Sequence, residues 1–204
     1  IGCKDLDDLI GDYQYPVLIY GEGGSGKTTL CLLASIEQAA KNNKVLFLDI
    51  ESNFSAERFQ QLTDKECIKN ILVLKIKNFT LQHKQIKQLA EIKNVSLIIV
   101  DSINHFYRRL QGKEPKLAEA MLAKQMVILS KIAKNNIPII ITSQVYSDMN
   151  KNIKPLAKNI LTKFSRTIIK LEKEPLRKIV IKKPNKKSLG FEVTNKGIKI
   201  TGFK

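Results

Sequence analysis

Gly21-Glu22-Gly23-Gly24-Ser25-Gly26-Lys27-Thr28 fits G-x-x-x-x-G-K-[ST], the loop that cradles the phosphates of a nucleoside triphosphate. The spacing follows from the ligand. Several negative charges in a small volume are best met by backbone N–H groups, and the chain curls tightly enough only where Cβ is missing, hence glycine at 21, 23, 24 and 26. Lys27 adds a cation for the β- and γ-phosphates, and Thr28 a hydroxyl oxygen for Mg²⁺. Val17-Leu18-Ile19-Tyr20 before the loop reads as a buried strand, and the apolar run from Thr29 to Ala40 as a helix. That helix points its positive dipole end at the anion. Strand, glycine loop and helix together predict an α/β core that binds a nucleoside triphosphate with Mg²⁺. The binding set is Gly21, Glu22, Gly23, Gly24, Ser25, Gly26, Lys27, Thr28 and Thr29.

Working outward, two further runs end in carboxylates. Val45 to Glu51 is apolar up to Asp49 and Glu51, and Val95 to Val100 leads into Asp101. Ligands of open parallel sheets bind beyond the C-terminal strand ends, so these carboxylates are expected beside the phosphate loop. Asp101 is expected to hold Mg²⁺ through a bound water near Thr28. Ile137 to Val145 is another buried strand, ending in Gln144. An amide there suits a sensor of the γ-phosphate, or is simply a polar strand end. Ser55 is the expected N-cap of a helix through Leu62, and Thr80 that of a helix through Lys93, with His83 on its solvated side. The periodicity predicts a helix over 6–10, a long helix over 117–134 and a short one over 158–164. Antiparallel hairpins are predicted around 173–176 and 195–197, and a loop over 146–157.

The 204 residues suit one domain, and no apolar run approaches the ~20 residues of a membrane span. No secretory signal stands at the start, and Cys3, Cys31 and Cys67 lack metal-ligand spacing, so a cytoplasmic protein with reduced thiols is expected. Net charge is +16, and residues 150–204 hold 16 Lys/Arg against three Asp/Glu, a net of +13. Such asymmetry points to a polyanion, DNA first, although a Lys-, Asn- and Ile-rich composition also arises by drift. Arg108, Arg109 and Lys113 follow aromatic residues after Asp101, the side-chain types that stack bases and pair phosphates. Those aromatics serve equally well packed beneath a loop.

Several of these segments together resemble the RecA-type recombinases, and among them the archaeal RadB paralogues. The carriers are Leu48-Asp49-Ile50-Glu51-Ser52-Asn53-Phe54-Ser55-Ala56-Glu57-Arg58-Phe59, Asp101-Ser102 with Tyr107-Arg108, Ile137 to Val145, and Leu189 to Ile198, with Gly2 to Gly11 similar to the stretch before the first core strand. The resemblance spans nearly the whole chain. It implies a RecA-type core: a mostly parallel twisted sheet flanked by helices, with antiparallel strands at the C-terminal end.

The resemblance also implies roles. Glu51 would polarise the attacking water beside Lys27, Arg58 would lie over adenine, and Gln144 would couple the γ-phosphate to DNA loops. Those loops would carry Arg108, Arg109, Lys113, Lys151, Lys154 and Lys158, while Lys182 to Lys187 would approach a neighbouring subunit's nucleotide. The implied partners are single- or double-stranded DNA, a strand-exchange recombinase or a Holliday-junction-processing protein, and further copies of the chain. Full strand-exchange enzymes of this branch carry an N-terminal helical domain and an aromatic linker, which do not precede Ile1, and a longer second DNA loop. The expectation is therefore a weak, DNA-independent ATPase in repair and recombination without autonomous strand exchange. A nucleotide-switched mediator with little turnover, a KaiC-like signalling ATPase and a replicative helicase core are the other readings.

Overall fold

The computed structural model describes residues 13–63, 66–147, 149 and 152–203. The helix expected over 6–10, Cys3 and Lys151 lie outside the described residues. The described chain forms strands β1 (Val17–Gly21), β2 (Val45–Asp49), β3 (Ile71–Lys75), β4 (Leu97–Asp101), β5 (Ile139–Ser143), β6 (Val145–Ser147), β7 (Ile153–Pro155), β8 (Thr167–Glu172), β9 (Lys178–Lys183), β10 (Lys187–Thr194) and β11 (Gly197–Phe203). Its helices are α1 (Lys27–Ala39), α2 (Ala56–Leu62), α3 (Phe79–Gln88), α4 (His105–Gln111), α5 (Pro115–Lys134) and α6 (Lys158–Phe164).

Nine strands make one sheet in the order β11-β10-β9-β8-β1-β5-β4-β2-β3. The six from β8 to β3 run parallel, and β9, β10 and β11 extend the sheet antiparallel. This is the RecA-type arrangement expected from the sequence. The inner parallel strands β1, β2, β4 and β5 are buried on both faces, which explains their continuous apolar runs. Alternation assigns Val17, Ile19, Phe47 and Ile99 to the core under α1, and Leu18, Leu46, Leu48 and Ile98 to the core under α3 and α5. Among the described residues no helix is long and apolar enough to cross a membrane.

Register then brings the chemistry together. Asp49 pairs with Asp101, and Tyr20 with Ser143, so the C-terminal ends of β1, β2, β4 and β5 lie side by side.

Three local expectations are corrected. Residues 146–157 do not stay a loop: β6 and β7 pair antiparallel, with Tyr146 opposite Lys154. The β-forming side chains of Val145, Tyr146 and Ile153 favour it, and Pro155 ends β7, where its missing N–H costs little. The cap of α3 is Asn78, whose side chain accepts from Leu81 N at 2.8 Å, and Thr80 lies inside the helix. The helix itself stops at Gln88 and passes into a 3₁₀ turn over Leu89–Glu91. His83 is half-buried rather than solvated: its Nδ1 is enclosed without a hydrogen-bond partner, and burial pushes its pKa below the usual value. Ser55 caps α2 as expected, accepting from Arg58 N at 3.0 Å. Cys31 and Cys67 are buried free thiols.

Candidate nucleotide site and nucleic-acid face

The phosphate loop joins β1 to α1. Gly26 takes φ 105° just before the helix, a backbone that favours glycine, and Gly24 takes φ 72°. A Cβ on Gly21 would stand 2.5 Å from Leu171 O and 2.7 Å from Ser25 Oγ, so only glycine lets the loop lie this close to β8. Helix α1 starts with no acidic residue in its first turn and no side-chain cap, which leaves its dipole unneutralised toward the loop. Thr28 and Thr29, its second and third residues, are half-buried.

Lys27 Nζ donates to Gly21 O at 2.8 Å and Glu22 O at 2.9 Å. Burial lowers its pKa, and the nearby Glu51 and Asp101 carboxylates push it back up. Thr28 Oγ1 donates to Asp101 Oδ2 at 2.7 Å, and the Thr142 hydroxyl donates to Asp101 Oδ1. Asp101 is 1% exposed. Burial raises its pKa, opposed by the two hydroxyls. Asp49 is buried too, with Oδ1 accepting from Asn53 N at 2.9 Å.

Glu51 follows β2 and sits at the centre of a polar chain. Its Oε1 accepts from the Ser102 hydroxyl and from Gln144 Nε2 at 2.9 Å, and its Oε2 from Asn53 Nδ2 at 3.0 Å. His105 Nδ1 lies 3.2 Å from Gln144 Nε2 and 4.0 Å from Glu51 Oε1. Asn104, buried between β4 and β5, completes the chain. Its Oδ1 accepts from Gln144 N at 2.9 Å, and its Nδ2 donates to Ser143 Oγ at 2.8 Å and Leu156 O at 3.0 Å. Leu156 N donates to Gln144 O at 2.9 Å. One asparagine thus ties the turn after β4, the end of β5 and the exit of the β6–β7 hairpin.

The structure brings Lys27, Thr28, Glu51, Asp101 and Gln144 into one cluster, as their positions in the sequence predict. Arg58 is close to the same end of the sheet but is engaged: Nη2 donates to Thr194 O at 2.7 Å and Nη1 to Asn195 O at 3.1 Å, tying α2 to the β10–β11 turn. Asn104 was missed in sequence reasoning, because a buried asparagine three residues past a strand carries no pattern of its own.

Beyond Gln144 lies a basic face. Arg108 and Arg109 are exposed on α4, and Lys113 on the turn after it. Tyr107 is buried at 1% exposure, so of the aromatics there it packs inward. A cleft of about 570 Å³ separates α4 from the hairpin and α6, lined by Tyr107, Gln111, Tyr146, Lys154 and Lys158. Tyr146, 44% exposed, is the aromatic that faces outward beside these lysines.

A family model described as Rad51 matches residues 1–200. The DNA repair and recombination protein RadB of Methanococcoides burtonii is 37% identical over 183 residues, covering 84% of this chain and 81% of its own. RadB of Thermococcus sibiricus is 34% identical over 216 residues, covering 97% and 92%. A solved structure described as the crystal structure of the RadB recombinase matches with TM-score 0.78 and 29% identity over 96% of both chains. With the nine-stranded sheet and the carboxylates at its parallel strand ends, these similarities establish that the chain belongs to the RadB family of archaeal RecA-type recombinase paralogues.

Proposed function

We propose that this chain binds Mg²⁺–ATP in the phosphate loop and uses it to set a DNA-binding face, acting in DNA repair and homologous recombination. The observation that carries the reading is the unbroken polar path from Glu51 through Gln144 and Asn104 to Leu156 at the hairpin exit. A group that responds to the γ-phosphate at one end is bonded to the basic cleft at the other. The printed names of the RadB relatives supply the process.

The residues present suit the cofactor. The hydroxyl of Thr28 and the carboxylate of Asp101 are the hard oxygen donors that Mg²⁺ takes. The Ser25 hydroxyl is buried in the loop without a protein partner. Mg²⁺–ATP, when bound, supplies the phosphoanhydride bond and the charge to be sensed. Lys27 offers its ammonium to the phosphates, Thr28 and Asp101 hold the metal (Asp101 through water), and Glu51 orients the attacking water. Arg58, carried on α2 beside the β10–β11 turn, would lie over the adenine on leaving its carbonyl contacts. Glu51 already accepts from three side chains, which leaves one of its roughly four acceptor positions for the water and supports slow turnover. The short hairpin supports DNA binding without autonomous strand exchange.

DNA would meet Arg108, Arg109 and Lys113 on one side of the cleft and Lys154 and Lys158 on the other, with Tyr146 placed to stack a base. Lys151, outside the described residues, is a further proposed DNA contact on the strength of its sequence alone. A strand-exchange recombinase, a Holliday-junction-processing protein or a further copy of the chain is the proposed protein partner. The edge strand β3, with Leu72 60% exposed, offers such a chain a place to add.

The three hydrogen bonds that Glu51 already accepts also favour a second reading, a mediator that switches with nucleotide and hardly hydrolyses it. Single-turnover hydrolysis with and without single-stranded DNA separates the two. The test of the main reading is DNA binding measured with and without Mg²⁺–ATP over a salt series. The expected result is an affinity that changes with nucleotide at every salt concentration. Identical binding curves with and without nucleotide would overturn it.

A further inference from the structure

The antiparallel extension delivers a second cation to the tip of the phosphate loop. Arg177 immediately precedes β9, and its carbonyl accepts from Phe191 N at 3.1 Å, which holds its backbone against β10. Its Nη1 donates to Gly24 O at 3.0 Å, across 153 residues of sequence. Lys27 makes the matching contacts with the two carbonyls at the loop's start, Gly21 O and Glu22 O. Both cations are therefore directed at one eight-residue turn, from opposite sides of its sequence. On its far side Arg177 borders a cavity of about 500 Å³ shared with Lys173, Lys178, Phe191 and Glu192.

A neutral carbonyl uses one of the five guanidinium N–H groups. A phosphate accepts two at once, through charge-assisted bonds roughly twice as strong as neutral ones. The backbone of Arg177 is bonded to β10, so a move from the carbonyl to a phosphate held in the loop would fall to the side chain. We propose that Arg177 is a second cationic ligand of the nucleotide phosphates, supplied by the same chain from the β8–β9 turn, and that it favours nucleotides with two or more phosphates. The inference rests on the phosphate-loop reading above.

Arg177→Gln removes the charge and leaves an amide N–H on a shorter side chain, whereas Arg177→Lys keeps the charge at nearly the full reach. Equilibrium titration of fluorescently labelled ATP, ADP and AMP compares wild type, both variants and Lys27→Ala, with thermal melting of each to confirm folding. Arg177→Gln is expected to lose roughly ten- to a hundred-fold affinity for ATP and ADP, with AMP much less affected, and Arg177→Lys to retain most of it. Wild-type affinity in Arg177→Gln, or equal losses in the Gln and Lys variants across all three nucleotides, would reduce Arg177 to a staple of the loop and overturn the proposal. If Arg177→Gln does not fold, the Lys variant decides by keeping or losing ATP. The failures are distinct: a wild-type protein that binds no nucleotide sinks the phosphate-loop reading itself. One that loses ATP with Lys27→Ala but not with Arg177→Gln sinks only the role of Arg177.

Discussion

Asp101 shows the conflict built into the site at the scale of a single residue. Burial holds its proton more tightly in the folded chain than in the unfolded one, and the hydroxyls of Thr142 and Thr28 only partly offset this. The folded protein therefore binds more protons, and this residue's contribution to stability falls as pH rises from the ordinary value of 3.8 through the raised folded value. At neutral pH the charge is kept at a cost to folding, which makes sense if a cation is its partner. Asp101→Asn is expected to raise the melting temperature at neutral pH while weakening Mg²⁺-dependent nucleotide binding at least ten-fold, read by melting and titration on the same samples. In the wild type, that binding should decline on acidification at a higher pH than an ordinary carboxylate would dictate. Glu51 has a different task. Glu51→Gln keeps an oxygen for Gln144 and Ser102 but loses the carboxylate, so single-turnover hydrolysis should fall by roughly two to three orders of magnitude. ATP affinity should stay within a few-fold of wild type, since the proposed role of Glu51 is toward the water rather than the phosphates.

Elements matter here through what joins their ends. The ends of β4, β5 and the β6–β7 hairpin are tied in pairs by Ile103 N to Thr142 O and Leu156 N to Gln144 O, and all three together by Asn104. Its side chain satisfies Gln144 N and Leu156 O, two backbone groups with few other partners at that depth. Asn104→Ala should destabilise the fold by about 2 kcal/mol in urea titration. It should also abolish the effect of Mg²⁺–ATP on DNA affinity while ATP still binds. DNA binding that remains nucleotide-sensitive in this variant would mean that the coupling runs elsewhere, with the Gln144–His105 contact the next place to look. The hairpin also shows where periodicity falls short. Three-residue strands such as β6 and β7 are too short to display alternation, and they exist because each supplies the other's backbone partners.

Across the whole molecule, charge is the property with the longest reach. A net of +13 over residues 150–204 surrounds one end of a sheet whose opposite edge, β3, is far less basic. If the cleft lysines neutralise DNA phosphates, log affinity should fall linearly with log salt, with a slope near −0.9 per phosphate on duplex and about −0.7 on single strands. Replacing Lys154 and Lys158 together by Gln should flatten that slope by about two contacts, measured by anisotropy over a salt series. An unchanged slope would move the interface off this cleft.

Much of this was legible before any coordinates. The phosphate loop is local chemistry: glycine spacing, Lys27 and Thr28 are dictated by the shape and charge of a triphosphate, so eight consecutive residues suffice to read it. Glu51 and Asp101 were legible because an apolar run ending in a carboxylate places that carboxylate at a strand end, and parallel sheets bind ligands there. What the sequence could not decide were the meetings between distant segments. Asn104 with Leu156, Arg58 with Thr194, and Arg177 with Gly24 each span 52, 136 or 153 residues, and each uses a backbone carbonyl that every residue possesses. Such contacts leave no signature in residue type or period. The chain by itself determined where a nucleotide site is expected and which residues would compose it, because that chemistry is written in side chains. Only the tertiary structure decided what the site is connected to, because register across the sheet and the return of the antiparallel strands place the partners.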